Sequence, residues 1–237
     1  KNNIFPGAQV LIAKDGDAIF SGGFGHHTYA RGSPHVTTES IYDIASITKV
    51  LSITPIVMKL ISRKQLHLDQ PIYHFIPDFK GRGKENITIR HLLTHSSGIK
   101  SYYRFFLEEK YSKRKDVLNE IIKMDLEFQP GSQFLYSDLG IILLMEIVEM
   151  VSNRSLDKIT SSWLYRPLGM KSTMYNPKKE LQSKIVPTEY DSLYRRKLIH
   201  GIVHDENTYL LGGISSHAGL FSTAEDLGNY GQMLINN

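Results

Sequence analysis

The chain has 237 residues, no cysteine and a formal net charge of +4 at pH 7, with 41% hydrophobic and 22% charged residues. These are the proportions of a globular protein long enough for one large domain or two lobes. They exclude disulfides and thiolate metal sites. They also argue against a nucleic-acid partner, because the densest basic clusters, Lys113-Arg114-Lys115 and Arg195-Arg196-Lys197, are short and isolated.

Taken in chain order, residues 8–14 and 18–24 are apolar and β-prone around Asp15-Gly16-Asp17, which predicts a β-hairpin. Residues 41–45 read as a strand, and Ser46 opens a helix expected to reach about residue 63 with a kink at Pro55. Helices are expected over about 71–76, 88–94, 102–110, 115–124, 138–151 and 155–165. Glu146 and Glu149 interrupt the most apolar stretch, so no run is long enough for a membrane span. Residues 170–212 carry Pro177, Pro187 and scattered polar groups and read as irregular. Ser222 or Thr223 then caps a helix running to Asn237, with Glu225 and Asp226 in its first turn. The sequence opens almost directly on a strand, so any export signal is expected to have been removed or never to have been present.

The chemistry-bearing signal is Ser46-Ile47-Thr48-Lys49, followed by Tyr136-Ser137-Asp138. Ser-x-x-Lys occurs three times, at Ser46/Lys49, Ser112/Lys115 and Ser155/Lys158. Context separates them: Ser112 and Ser155 lie in polar, loop-like runs, whereas Ser46 sits at a strand-to-helix junction ahead of an apolar helix. Spacing i, i+3 puts serine and lysine on one helical face. The positive helix end and burial both disfavour a second positive charge, and a neutral amine can take the serine proton. Gln129-Pro130-Gly131 predicts a turn that delivers Tyr136 to the same place, where its phenol could share a proton with Lys49, and Asp138 reads both as the cap of the following helix and as a candidate substrate-binding residue. His91 and His95 have metal-compatible spacing but no third ligand nearby, and read as packing or capping residues. The polar run 203–207 is a candidate substrate-lining segment.

These stretches, with Ile87 to Gly98, Pro167-Leu168-Gly169-Met170 and Gly212-Gly213 through Leu227, resemble in order the serine β-lactamase/penicillin-binding-protein-like superfamily, nearest its class C β-lactamase, DD-peptidase and esterase branch. The resemblance implies an α/β (α+β) fold over residues 1–237. An antiparallel sheet flanked by helices would form one lobe, about 1–62 and 171–237, beside a helical lobe over about 63–170. It implies Ser46 as nucleophile, Lys49 as proton acceptor, Tyr136 as general base or relay, and the Ser46 N–H as part of an oxyanion hole. It implies no metal or cofactor, a small-molecule or peptidoglycan-type substrate, and a periplasmic or exported location.

The sequence departs from that pattern twice. The tripeptide ends in Asp138 where the family has asparagine, and a carboxylate cannot donate to a substrate carbonyl and favours a charged Lys49. His217-Ala218-Gly219 fits the third motif by letter, which makes His217 and Gly219 candidate substrate-binding residues. It lies ahead of the 223–237 helix, however, where the family's third motif follows it; the expectation is that the true motif and the C-terminal strands are missing. Substrate stays open among β-lactam, D-amino-acid peptide and small ester. A penicillin-binding sensor that acylates without turnover, or an inactive relative, is the alternative to a hydrolase.

Overall fold

The computed structural model describes residues 4–236. β1 (Gly7–Lys14) and β2 (Asp17–Gly25) form the expected hairpin, antiparallel with Lys14 opposite Asp17. Asp15 and Gly16 both take positive φ, 52° and 93°, the two-residue turn that matches strand twist. The expected 41–45 strand shrinks to β3 (Tyr42–Asp43).

The single helix expected from Ser46 is divided. A π-helical stretch, Lys49–Ile53, leads into α1 (Thr54–Ser62). Pro55 has no N–H to donate to the preceding turn. The carbonyls of Val50 and Leu51 instead accept the phenols of Tyr230 and Tyr165, at 2.7 and 3.2 Å. The break is thus satisfied from two distant parts of the chain.

α2 (Ile89–Leu93) is closed by a capping box in which the Thr88 side chain accepts the His91 N–H and His91 Nδ1 accepts the Thr88 N–H. The helix expected over 102–110 is instead a 3-10 turn, Phe105–Leu107, because its aromatic residues pack into the protein one by one: Tyr103, Phe105 and Tyr111 meet ring to ring. The helix expected at 71–76 is likewise only a 3-10 turn, Ile72–His74. α3 (Arg114–Lys123) and α4 (Asp138–Ser152) follow, tied by Arg114 to Glu146 and Glu149. α4 buries nine residues from Leu139 to Val148, the all-round burial of a central helix. α5 (Leu156–Thr160) runs into a second π stretch, Ser161–Tyr165.

The 170–212 region holds β4 (Met174–Tyr175), β5 (Tyr190–Asp191), β6 (Lys197–Leu198) and α6 (Glu206–Leu210). β7 (Leu220–Ser222) pairs antiparallel with both β3 and β4, and α7 (Ala224–Ile235) is capped by Thr223. The end of the expected helix, Asn237, lies outside the described residues. The strands form three small antiparallel sheets, β1-β2, β3-β7-β4 and β5-β6. One main apolar cluster, from Ile44 through α1 and α4 to Leu220 and Tyr230, joins the two expected lobes.

Candidate active site

The turn before the π stretch aligns the serine and lysine. Ile47, Thr48 and Lys49 donate to the carbonyls of Ile44, Ala45 and Ser46, at 3.0–3.1 Å. Three consecutive i→i+3 bonds give about three residues per turn, which eclipses side chains i and i+3. Ala45 enters this turn with a left-handed φ of 46°, and Asp43 holds it: Oδ1 accepts the Ala45 N–H at 2.9 Å while Oδ2 accepts the His204 N–H at 2.7 Å. Burial pushes the Asp43 carboxyl up against these bonds.

The Lys49 ammonium, 7% exposed, is the hub. It donates to Ser46 Oγ at 3.0 Å and to the His217 carbonyl at 2.9 Å, and it lies 2.7 Å from Asp138 Oδ1. That carboxylate oxygen is buried and accepts no aligned hydrogen bond, so charge holds the pair together. Tyr136 presents the face of its ring to the lysine, Nζ to centroid 4.7 Å, rather than the phenol–amine bond expected from the sequence. Ser46 is exposed, and among the described residues its backbone N–H makes no hydrogen bond.

Asp138 is available for Lys49 because it is not the helix cap. Ser137 fills that position, its Oγ accepting the Gly140 N–H at 3.0 Å and donating to the Lys100 carbonyl at 2.8 Å. The loop carrying Tyr136 reaches the site through a contact only glycine permits. Gly98 has φ +78°, and a Cβ there would lie 2.2 Å from the Phe128 carbonyl. The Glu127 N–H donates to the Gly98 carbonyl at 2.7 Å.

His217 and Gly219 lie behind the site rather than on its open face. The His217 ring, 1% exposed, contacts Asp205 Oδ1 at 3.0 Å, Ser215 Oγ at 2.8 Å and Thr208 Oγ1 at 3.2 Å; only its carbonyl reaches Lys49. Gly219 is buried with φ +116°, where a Cβ would press on Gly213, Thr208 and Tyr175. A ring so enclosed does not line a substrate cleft, so the structure corrects the placement expected for both. Asp205, within the polar run 203–207, also accepts the Thr208 N–H at 2.7 Å as the cap of α6. Burial raises its carboxyl, but the bond and charge of His217, with Thr208, outweigh that and hold it well below the usual carboxylate range.

Sequence reasoning did not single out Asp43, read His95 only as a packing or capping residue, and placed Asp205 only within a substrate-lining run. The contacts that give them their roles cross the chain, and no local spacing announces them.

The family model described as Beta-lactamase matches residues 2–237. The chain is 32% identical to an N-acetylmuramyl-L-alanine amidase of Bacillus subtilis, over 98% of this chain and 59% of that protein. It is 34% identical to a putative D-alanyl-D-alanine carboxypeptidase of Escherichia coli K12, over 98% of this chain and 60% of the relative. Among solved structures, the octameric penicillin-binding protein homologue from Pyrococcus abyssi superposes with a TM-score of 0.79 at 31% identity, over 98% of this chain and 52% of that one. The chain therefore spans about three fifths of the length of the curated relatives it matches.

Proposed function

The chain belongs to the β-lactamase family, and on that premise we propose that it is a serine hydrolase that opens a peptide-type amide through an acyl-enzyme on Ser46. The observation that carries this reading is the 3.0 Å contact between Ser46 Oγ and Lys49 Nζ, in a turn that leaves Ser46 exposed. In the first step Ser46 Oγ bonds to the substrate carbonyl carbon and its proton passes to Lys49. Only the neutral amine can take that proton, and Asp138, 2.7 Å away, works against it by favouring the charged form. The unpaired Ser46 N–H stabilises the developing oxyanion. As the C–N bond breaks, the proton returns to the leaving nitrogen, with Tyr136 beside Lys49 as relay. Water then cleaves the Ser46 ester.

An amide of a D-amino-acid peptide is the substrate class supported by the name of the putative D-alanyl-D-alanine carboxypeptidase, while the name of the N-acetylmuramyl-L-alanine amidase supports an amide without the D-configuration. The same names support an extracytoplasmic location. Among the described residues no helix is long and apolar enough to cross a membrane. A second reading, acylation without turnover, draws on the Lys49–Asp138 pair, which ties up the lysine that deacylation also needs.

Incubation of the full-length protein with a D-alanyl-D-alanine peptide, a chromogenic cephalosporin and a p-nitrophenyl ester, followed by intact mass, distinguishes these readings. Turnover of the peptide supports the peptidase reading, and a persistent Ser46 adduct supports the sensor. No adduct and no turnover overturns both.

Asp138→Asn keeps an oxygen facing Lys49 and adds an N–H donor for a substrate carbonyl. It is expected to raise the kcat/KM ratio of amide over activated ester by about 5- to 10-fold, the worth of one hydrogen bond. Equal changes with both substrates would remove Asp138 from substrate recognition.

A further inference from the structure

Tyr136 is 41% exposed, and its aim depends on the backbone that carries it. Both flanking peptides are fastened to one residue, His95. The Leu135 N–H donates to the His95 carbonyl at 2.8 Å, and the Ser137 N–H donates to His95 Nδ1 at 3.1 Å. The half-buried His95 ring lies against the Tyr136 ring, with centroids 4.4 Å apart and planes 36° off parallel.

His95 occupies a place glycine usually takes. α2 ends in a Schellman motif, Ser96 N–H to His91 carbonyl and His95 N–H to Leu92 carbonyl, with His95 at the left-handed position, φ 54°. A histidine here costs backbone energy that glycine would not, and what it gains is the ring bonded to the Tyr136 loop.

We propose that His95 is a positioning residue for the Tyr136–Asp138 loop, and that it holds the loop only while its ring is neutral. This rests on the reading of Ser46 and its neighbours as acylation machinery. Because Nδ1 accepts the Ser137 N–H, the neutral ring carries its proton on Nε2. A second proton would arrive at Nδ1, facing the Ser137 N–H donor to donor, and would set a positive charge beside Lys49. The charged groups bearing on the ring are Lys49 and Asp138, of opposite sign, and the Tyr136 ring packs against it. Burial first, then the Lys49 charge, hold the His95 imidazole below its ordinary range, against Asp138. The neutral, loop-holding form therefore prevails at and above about pH 6.5 and is lost as the pH falls through the lowered value.

Single-turnover acylation of Ser46 by a p-nitrophenyl ester, followed from pH 4.5 to 8 in the full-length protein, tests this. His95→Ala is expected to slow acylation by about 10- to 100-fold at pH 7.5, the cost of a misplaced catalytic group. His95→Asn puts an amide oxygen where Nδ1 stood and tolerates the left-handed backbone. It is expected to recover most of that loss and to abolish the histidine limb of the acid profile. An unchanged limb in His95→Asn, or wild-type rates in His95→Ala, overturns the proposal. Hydrogen exchange of the Ser137 amide needs no activity. Its protection should drop, beyond the intrinsic pH trend, as His95 protonates. Protection indifferent to that protonation overturns the positioning role. A wild-type protein with that protection intact but no Ser46 adduct overturns the acylation reading alone.

Discussion

Ser46→Ala is expected to abolish covalent adduct formation and to lower hydrolysis of a p-nitrophenyl ester by roughly 10⁴-fold or more, as loss of a nucleophile does in other serine hydrolases. The fold should be untouched, because the exposed hydroxyl contributes one hydrogen bond, to Lys49. Ser112→Ala and Ser155→Ala provide the contrast and should leave the rate unchanged. Ser112 is exposed ahead of α3, where its backbone N–H bonds Asp116, and the Ser155 carbonyl accepts the Lys158 N–H at the start of α5. Neither hydroxyl is hydrogen-bonded to its lysine as Ser46 is. An adduct surviving in Ser46→Ala would move the chemistry elsewhere.

The second large effect is on stability. Asp205→Ala removes the acceptor of a fully enclosed imidazole and the cap of α6. A buried group left unsatisfied and a lost cap together cost about 2–4 kcal/mol. For a chain of this size that is a fall in Tm of about 10 °C. The pH dependence gives a second readout. A carboxyl held below its ordinary value contributes stability that is full above about pH 4 and is lost as the pH falls toward its folded value. Thermal melts of wild type from pH 6 down to pH 2 should therefore steepen in their loss of stability where those of Asp205→Ala do not. A variant with unchanged Tm and the same acid profile would mean that the Asp205–His217 contact does no structural work.

What the sequence made legible was local. Ser46 and Lys49 could be aligned from spacing because three short-range bonds set their geometry. The Tyr136 loop could be placed because a turn and a helix start bracket it within a few residues. The cap of α4 was misassigned by one residue, which matters: with Ser137 as cap, Asp138 is released to face Lys49. The helix expected over 102–110 failed because its apolar residues answer to tertiary ring contacts rather than to each other. His217 was found by letter but turned the wrong way, since its partner Asp205 lies across a loop. The His95 ring bond to Ser137 spans 42 residues and leaves no periodic trace.

The carbonyls of the turn before Pro55 bear on the order in which the protein is made. Lys49 waits for a carbonyl 168 residues downstream, and the Leu51 and Val50 carbonyls wait for phenols 114 and 180 residues away. A chain emerging from the ribosome thus carries the locally bonded Ser46–Lys49 turn early, but the contacts to the His217 carbonyl and the Tyr230 phenol can close only once those residues are out. Until then the Ser46–Lys49 turn is held by its three short-range bonds alone. Completion of the surroundings of Lys49 is in this sense a late event of biosynthesis, timed by chain length.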